Sequence, residues 1–190
     1  YQALKTEDEH GSNVAVGSEA LENLNAGAEA YNTAVGHNAG KSITLGVQNI
    51  LVGAFAGDAL THADFNVGIG LGSIGSDTQG HNSVAIGYST LSAQNHTSST
   101  DTNNVAVGYV AGQALTTGIQ NTIIGSGAGD SLTDADRNIA IGYQALTTDT
   151  QGSRTTAVGY NSLASQNFTS ATNSNNTAVG YESGLALTTG

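Results

Sequence analysis

A glycine that directly follows Val or Ile recurs along the 190-residue chain at nearly constant intervals. The intervals between successive copies are 19, 17, 17, 17, 21, 17, 17, 17 and 21 residues. Repeats of this length are typical of solenoids, in which each repeat forms one coil stacked on the next. We therefore predict about ten coils, each turning at its glycine. The predicted corner glycines are Gly17, Gly36, Gly53, Gly70, Gly87, Gly108, Gly125, Gly142, Gly159 and Gly180.

From the second copy onward the intervals group into two blocks, so that residues 37–108 correspond to residues 109–180. The segment GDALTHADFN at 57–66 accordingly matches GDSLTDADRN at 129–138. We predict a single repetitive solenoid shaft over 1–190, containing these two 72-residue super-repeats. Both ends of the sequence fall within a coil, so we expect this chain to be a fragment of a longer one.

We predict two short strands and two turns in each coil: one strand immediately before the glycine, and a second in the small-residue segment after it, such as residues 143–146. The residue before the glycine is always Val or Ile, and the residue two positions earlier is Val, Ile or Thr. β-branched residues at alternate positions share one face of a strand, whereas a helix is disfavoured because glycine interrupts every copy. We predict that these Val and Ile residues stack into a dry structural core. The predicted core residues are Val16, Val35, Val52, Ile69, Ile86, Val107, Ile124, Ile141, Val158 and Val179.

The large apolar residues that follow the glycine alternate between two positions. Where Leu or Ile stands four residues after the glycine, the residue three positions later is polar, as with Ile74 and Asp77. Where a second glycine stands there, the later residue is apolar, as with Gly112 and Leu115. Only the first copy departs from this rule. Such compensation is expected in an interior so closely packed that it admits one large side chain per coil.

These patterns predict an all-β protein: a parallel β-solenoid of about ten coils of 17–21 residues, with coils about 4.8 Å apart. Asn begins the strand in eight of the ten copies and is expected to form a ladder along the stack. Small residues, chiefly Ala, line the other strand face and permit close approach of a second surface. We favour three chains around a common axis, with a lone solenoid as the alternative. Polar segments at 92–104 and 164–176 carry the extra residues of the longer coils and are expected to protrude.

Charge excludes several classes of partner. Fifteen Asp and Glu residues against four Lys and Arg residues give a net charge of −11. This balance argues against binding to nucleic acid or to anionic membranes, because both need a basic surface. No segment approaches the roughly 20 apolar residues of a membrane span, so we predict no membrane insertion. The chain also lacks Cys, which excludes a disulfide framework and a thiolate metal site.

The phrases NTAVGHNAG, NVAVGYVAG and NTAVGYESG resemble the Asn-Thr-Ala-Val-Gly-Tyr repeats of phage tail-fibre and related surface-fibre proteins. NSVAIGYST at 82–90 is similar to the Asn-Ser-Val-Ala-Ile-Gly repeat of trimeric autotransporter adhesin heads. The resemblance spans the whole chain. It implies a trimeric, left-handed parallel solenoid that is exposed at a cell or virion surface and serves in attachment. The present coils are longer than the adhesin repeat, so the detailed geometry of those heads is not carried over.

Acidic residues near the turns are the candidate metal ligands. Ca²⁺ prefers several oxygen atoms gathered in one loop, but an Asp beside a turn more often bonds to its own backbone. We favour the turn role, and hence no cofactor, with calcium as the alternative. The candidate calcium ligands are Asp58, Asp64, Asp130, Asp134 and Asp136.

Tyr follows the corner glycine in five coils and predicts a surface aromatic row on which surface glycans would stack. Packing between chains is the alternative role for these residues, which are Tyr88, Tyr109, Tyr143, Tyr160 and Tyr181. The five histidines do not recur between the blocks, so we interpret His10, His37, His62, His81 and His96 as solvated surface residues. Neither a Ser/His/Asp arrangement nor a carboxylate pair nor a phosphate loop stands out, and we predict no catalytic residues and no enzymatic activity.

The leading functional hypothesis is a structural and adhesive extracellular fibre shaft, from a phage tail fibre or a bacterial surface appendage, which spaces and presents attachment sites. Its main partner is then the chain itself, as a homotrimer. Two alternatives stay open. One is a carbohydrate- or calcium-binding repeat module, and the other is a subunit of an extracellular filament whose chains join end to end.

Overall fold

The computed structural model describes residues 1–7 and 11–190, and these ranges contain no helix. The chain winds as a parallel β-solenoid, so the predicted fold class is confirmed. Each coil contributes one three-residue strand to a single ten-stranded sheet. The prediction of a second strand after each corner glycine is wrong, because those residues form turns, as at 143–146. Its strands, in spatial order, are β1 (Val14–Val16), β2 (Thr33–Val35), β3 (Ile50–Val52), β4 (Val67–Ile69), β6 (Val84–Ile86), β8 (Val105–Val107), β9 (Thr122–Ile124), β10 (Ile139–Ile141), β12 (Thr156–Val158) and β14 (Thr177–Val179).

Equivalent positions of successive repeats lie directly beside one another in this sheet. Val35 pairs with Val52, and Val52 pairs with Ile69, in parallel ladders. The same alignment holds across the longer coils, where Ile86 pairs with Val107. One coil therefore advances the solenoid by the spacing between parallel strands, about 4.8 Å.

The strands are short because the corner glycine turns the chain immediately after them. These glycines have φ between +130° and +143°, a conformation that is essentially restricted to glycine. Stacking adds a second requirement. A Cβ atom on Gly87 would lie 2.1 Å from the carbonyl oxygen of Gly108, one coil further on. A side chain at this corner would therefore both strain the backbone and collide with the next coil.

The interior of each coil is narrow and is filled from two sides. The central strand residue faces inward and is usually Ala, as in Ala106 and Ala140, both fully buried. The large side chains come from the turn after the corner glycine. Ile74 and Leu115 occupy different positions in their repeats, yet both are fully buried. The predicted volume compensation between the two positions is therefore confirmed.

The prediction that the Val and Ile residues before the corner glycines fill this interior is wrong. They stack coil over coil, but their side chains face outward, and Val16, Ile86 and Val179 are exposed. The strand alternates its side chains, and the interior beside it is already occupied by Leu or Ile from the turn. Only a small central residue fits there, so the β-branched neighbours point away. The correction applies to Val16, Val35, Val52, Ile69, Ile86, Val107, Ile124, Ile141, Val158 and Val179.

Asn residues at the start of the strands form a buried ladder along the solenoid. The Asn49 backbone N–H donates to Oδ1 of Asn32 at 2.9 Å, and the Asn66 N–H donates to Oδ1 of Asn49 at 3.0 Å. Each side-chain amide also closes its own coil, as when Nδ2 of Asn49 donates to the Ala63 carbonyl at 2.8 Å. The predicted ladder is present, and in most of its links a backbone N–H donates to a side-chain oxygen of the preceding Asn.

The two longer coils fold their extra residues back onto the coil before them. β5 (Gly80–His81) pairs with β7 (Thr100–Asp101), and β11 (Gly152–Ser153) pairs with β13 (Thr172–Asn173). Each pair is a separate two-stranded parallel sheet. Residues 97–99, at the tip of the first extension, are exposed.

Candidate functional site

The outer strand face, formed by the first and last residues of the ten sheet strands, is a continuous strip of β-branched side chains. Every one of these residues is Val, Ile or Thr, and none of them is buried. All-parallel sheets are almost always covered on both faces. Uncovered apolar surfaces of this extent are typical of sites that contact other molecules, so this strip is a candidate functional surface.

The prediction that small residues on the opposite strand face admit a second surface is wrong. Ala34, Ala85 and Ala157 are fully buried inside their own coils. Contact with another molecule on the strand side can therefore involve only the outer strand face.

The five tyrosines after the corner glycines stack along the surface in two groups, one of two rings and one of three. The rings of Tyr88 and Tyr109 have centroids 5.4 Å apart and planes 12° apart. Tyr160 lies between Tyr143 and Tyr181, at centroid distances of 5.3 and 5.1 Å. All five rings are exposed, but a ring stacked on both sides presents only its edge to solvent. The sequence predicts the row and misses the stacking.

Two of the five candidate calcium ligands hold neighbouring coils together. Oδ1 of Asp64 accepts a hydrogen bond from the Val47 N–H at 2.8 Å. Oδ1 of Asp136 accepts from the Ile119 N–H at 2.9 Å in the equivalent place of the second block. Their carboxylates thus satisfy backbone donors of the preceding coil.

The other three candidates, Asp58, Asp130 and Asp134, have different surroundings. Asp130 accepts from the hydroxyl of Thr147 at 2.6 Å, whereas Asp134 is exposed. Asp58 is half-buried, and burial raises the pKa of its carboxyl group. Within residues 1–7 and 11–190, no three acidic or histidine side chains gather into a group that could hold a metal ion.

The sequence also fails to predict a buried polar network under the first longer coil. Asp77 is fully buried, and its Oδ1 accepts from the backbone N–H groups of Gly80 and His96 at 3.1 and 2.9 Å. Its Oδ2 accepts from Nε2 of Gln94 at 2.5 Å. The Gly80 bond is the expected turn role of an Asp, but the other two bonds join separate coils.

The network continues inward through the side chain of Gln94. Its Nε2 also donates to the Ser83 hydroxyl at 3.0 Å, and its Oε1 accepts from Nδ2 of Asn104 at 2.9 Å. The Ser83 and Thr102 hydroxyls are 2.5 Å apart. Gln94 and Asp77 occupy positions where other coils carry Leu, which was the available sequence signal that they face inward.

His96 belongs to this network, so its interpretation as a solvated surface residue is wrong. The side chain is only 7% exposed, and Nε2 lies 3.2 Å from the Thr117 carbonyl oxygen. Its Nδ1 lies 3.8 Å from Oδ2 of Asp77, beyond hydrogen-bonding distance, and has no hydrogen-bond partner. The interpretation as a surface residue is also wrong for His81, whose side chain is largely buried. Its Nδ1 accepts from the Asp64 backbone N–H at 2.9 Å, and its Nε2 lies 2.9 Å from the Ser99 hydroxyl. His37 and His62 are exposed as predicted, and His10 falls outside the described residues.

Comparison with known proteins yields no relative for this chain: no protein-family model, curated protein or solved structure matches it. None of the described residues belongs to a helix that could cross a lipid bilayer. The candidate functional surfaces are therefore defined by geometry, as the outer strand face and the tyrosine row.

Proposed function

We propose that this chain is the shaft of an extracellular fibre, of the phage tail-fibre or bacterial surface-appendage kind, in which copies associate side by side through their outer strand faces. The observation that carries the proposal is the uncovered apolar face of a ten-stranded parallel sheet. Such a shaft spaces and presents attachment sites.

The length of the outer strand face favours a second copy of the chain as its partner. The strip runs from β1 to β14, with the same two outward positions used in every strand. At about 4.8 Å per strand it extends for about 48 Å. Only a surface with the same periodicity matches it along that length, and an identical chain offers one. Closed rotational symmetry then buries the strip from solvent.

Three chains and a left-handed coil are the arrangement implied by the resemblance to surface-fibre repeats. In such a trimer the three outer strand faces meet around one axis. The Val and Ile side chains then form the dry core between the chains.

A structural role also agrees with the use that the chain makes of its polar groups. Asp77, Asp149, Gln94 and Gln166 are fully buried, and they bond to one another or to backbone. These carboxylates and amides are held by the fold. We therefore assign the chain a structural rather than an enzymatic role.

Charge placed on the outer strand face tests the association. We expect the protein to sediment as a trimer and the double variant Ile86→Lys/Ile124→Lys to sediment as a monomer with an unchanged β-sheet circular dichroism spectrum. Both side chains are exposed in the single chain, so the coil itself tolerates the change. Gln113→Lys is the matched control, because Gln113 is exposed but not on this face.

Two outcomes would contradict the proposal. One is a wild-type chain that stays monomeric at high concentration, and the other is a double variant that still assembles. Deleting residues 109–180 provides a second test, because it joins Gly108 to Tyr181 and preserves the repeat. By electron microscopy the rod should shorten by about 19 Å, the rise of four coils.

A further inference from the structure

The tyrosine row has one interruption, at Ser126. Strand pairing aligns Val107 with Ile124 and Ile124 with Ile141, so the residues two positions after these, Tyr109, Ser126 and Tyr143, occupy successive coils. Hydrogen bonds fix the alignment, since the Gln144 N–H donates to the Ser126 carbonyl at 3.0 Å. Tyr109 and Tyr143 therefore flank one coil that lacks a ring.

We propose that the space over Ser126, here called the Ser126 slot, binds one neutral pyranose ring of a glycan, with the sugar sandwiched between Tyr109 and Tyr143. Both tyrosines are open to solvent, with exposures of 59% and 47%. This inference does not rest on the fibre proposal, because the slot is formed within one chain.

The width of the Ser126 slot accommodates a pyranose ring. Two coils separate the flanking rings, which places them about 9.6 Å apart. A ring fits between two tyrosines at this separation elsewhere in the row, because Tyr160 stacks between Tyr143 and Tyr181 at centroid distances of 5.3 and 5.1 Å. A pyranose presents C–H groups on both faces, and with contacts of about 4.5 Å on each side it fills the space.

The two aromatic walls further select the configuration of the sugar. A sandwiched ring needs C–H groups, and not hydroxyls, directed at both tyrosines. In a β-gluco-configured pyranose every substituent is equatorial, so both faces carry axial hydrogens. A galacto ring places an axial hydroxyl on one face, as does a manno ring. We therefore expect β-glucosides, and N-acetylglucosaminides of the same configuration, to bind best.

Polar groups border the Ser126 slot where the equatorial hydroxyls would lie. The Ser126 hydroxyl has no side-chain hydrogen bond to residues 1–7 or 11–190. The neighbouring Gly127 is buried beside two polar residues: a Cβ there would lie 3.4 Å from Cγ of Gln144 and 3.9 Å from Oδ2 of Asp130. The Asp130 carboxylate and the net charge of −11 favour a neutral sugar over an acidic one.

The other rings of the row do not form an equivalent site in the described chain. Tyr160 has a ring against each of its faces, so a sugar cannot lie flat on it. Replacing Tyr160 by Ser would, however, leave Tyr143 and Tyr181 facing each other across one coil. That substitution should therefore create a second slot.

The test is a titration of the full chain with methyl β-D-glucopyranoside, followed by the ring signals of Tyr109 and Tyr143 in NMR spectra. We expect millimolar binding, upfield ring-current shifts of the sugar protons and weaker binding of the methyl β-galactoside and α-mannoside. Tyr109→Ala and Tyr143→Ala should each weaken binding about tenfold, as loss of one stacking face predicts. Tyr88→Ala is the control, because that ring does not face the slot.

Two further variants make the test independent of simple loss of folding. Ser126→Tyr should complete the row, abolish sugar binding and raise the unfolding midpoint. Tyr160→Ser should raise the number of bound sugars per chain from one to two. The proposal is overturned if glucoside and galactoside bind alike, if a flat ligand such as indole binds in preference, or if Ser126→Tyr leaves binding unchanged.

Discussion

The two longer coils of the solenoid are built on equivalent buried networks, whose central aspartates differ in one neighbouring ring. In the second, Asp149 accepts from the backbone N–H groups of Gly152 and Phe168 at 3.1 and 2.9 Å, and from Nε2 of Gln166 at 2.6 Å. These are the bonds that Asp77 makes in the first, where His96 stands in place of Phe168. The aspartate network therefore belongs to the architecture of a longer coil and does not require a histidine.

What the histidine adds is a charge that can titrate. The facing Asp77 carboxylate raises the pKa of His96 above its ordinary value, and burial acts in the opposite direction. Burial would raise the pKa of Asp77, but the bonds from His96 and Gln94 outweigh it and hold that pKa low. The following coil contributes the Thr117 carbonyl and no ionisable side chain within 113–120. The Asp77–His96 pair is thus the one ionic difference between the two networks.

The corner glycines of the two longer coils should be equally intolerant of a side chain, and their substitution has the largest expected effect. In Gly87→Ala and Gly159→Ala the new Cβ would lie 2.1 and 2.3 Å from the next corner carbonyl. We expect each to lower the free energy of unfolding by about 4 kcal/mol or more, or to prevent folding. Denaturant unfolding followed by circular dichroism measures this.

Gly72→Ala is the matched control for the corner substitutions. Its Cβ would lie 3.9 Å from the nearest atom, the Oγ of Ser89, so only the left-handed backbone opposes the change, at about 1–2 kcal/mol. If a corner variant lost no more stability than this control, the collision with the carbonyl of the next coil would not be the cause of the destabilisation.

Removing either network aspartate has the next largest effect, and the comparison between the two is informative. Asp77→Ala leaves a charged His96 and three donors without their acceptor, which should cost about 3–5 kcal/mol at pH 5.5. Asp149→Ala leaves only neutral donors without an acceptor, and it should lower the free energy of unfolding by about 2–3 kcal/mol. The difference in stability loss between the two variants should be smaller at pH 8, where His96 loses its proton at little cost. Equal losses at pH 5.5 would show that His96 is not charged there.

Asp134→Ala is the control for the aspartate variants, because its side chain is exposed and lies outside both networks. Its effect on the free energy of unfolding should stay within about 0.5 kcal/mol.

The coils also show which features of the fold can be predicted from the sequence alone. The glycine interval predicts the solenoid. The large apolar residue stands at one of two positions after the glycine, as Ile74 or as Leu115, and this alternation predicts a core with one large residue per coil. Both inferences depend only on periodicity and volume, which the chain displays directly. Which side of a three-residue strand faces inward is not displayed, because Val-Ala-Val can bury either the β-branched pair or the Ala.

That choice depends on how wide the coil is, and the width follows from the turns. Leu and Ile reach the interior from residues in the left-handed backbone region, such as Ile74 and Leu146 with φ of 51° and 56°. The conformational preferences of Leu and Ile do not predict a left-handed backbone. The buried Asp77 network is hard to predict for a different reason, because an Asp in a turn is ordinarily solvated. Its one sequence signal is that Asp77 and Gln94 occupy positions where other coils carry Leu. The stacking of the tyrosines follows from the register and could have been inferred from the repeat.

Exchanging the His96 and Phe168 side chains tests which group makes the stability depend on pH, and the expected effect is smaller. Because the pKa of His96 is raised in the folded state, the associated stability is fully present below pH 6.5 and is lost as pH rises through the folded-state value. His96→Phe should remove this slope and lower the free energy of unfolding by about 1–2 kcal/mol at pH 5.5. Phe168→His should introduce a similar slope in the second network. Unfolding curves between pH 5 and 9 would measure both, and a wild-type slope that persists in His96→Phe would assign it to another group.

The smallest effect concerns the residue that fills the interior just before each network. Ile74 and Leu146 occupy equivalent buried positions with φ near +50°, but only Ile is branched at Cβ, where the left-handed backbone is most crowded. Ile74→Leu should therefore stabilise its coil by about 0.5 kcal/mol, and Leu146→Ile should destabilise the equivalent coil of the second block by a similar amount. Hydrogen exchange of the amides in β6 and β12 can resolve such local changes. If Ile74→Leu were destabilising, the fit of the Ile side chain against its neighbours would outweigh the backbone strain.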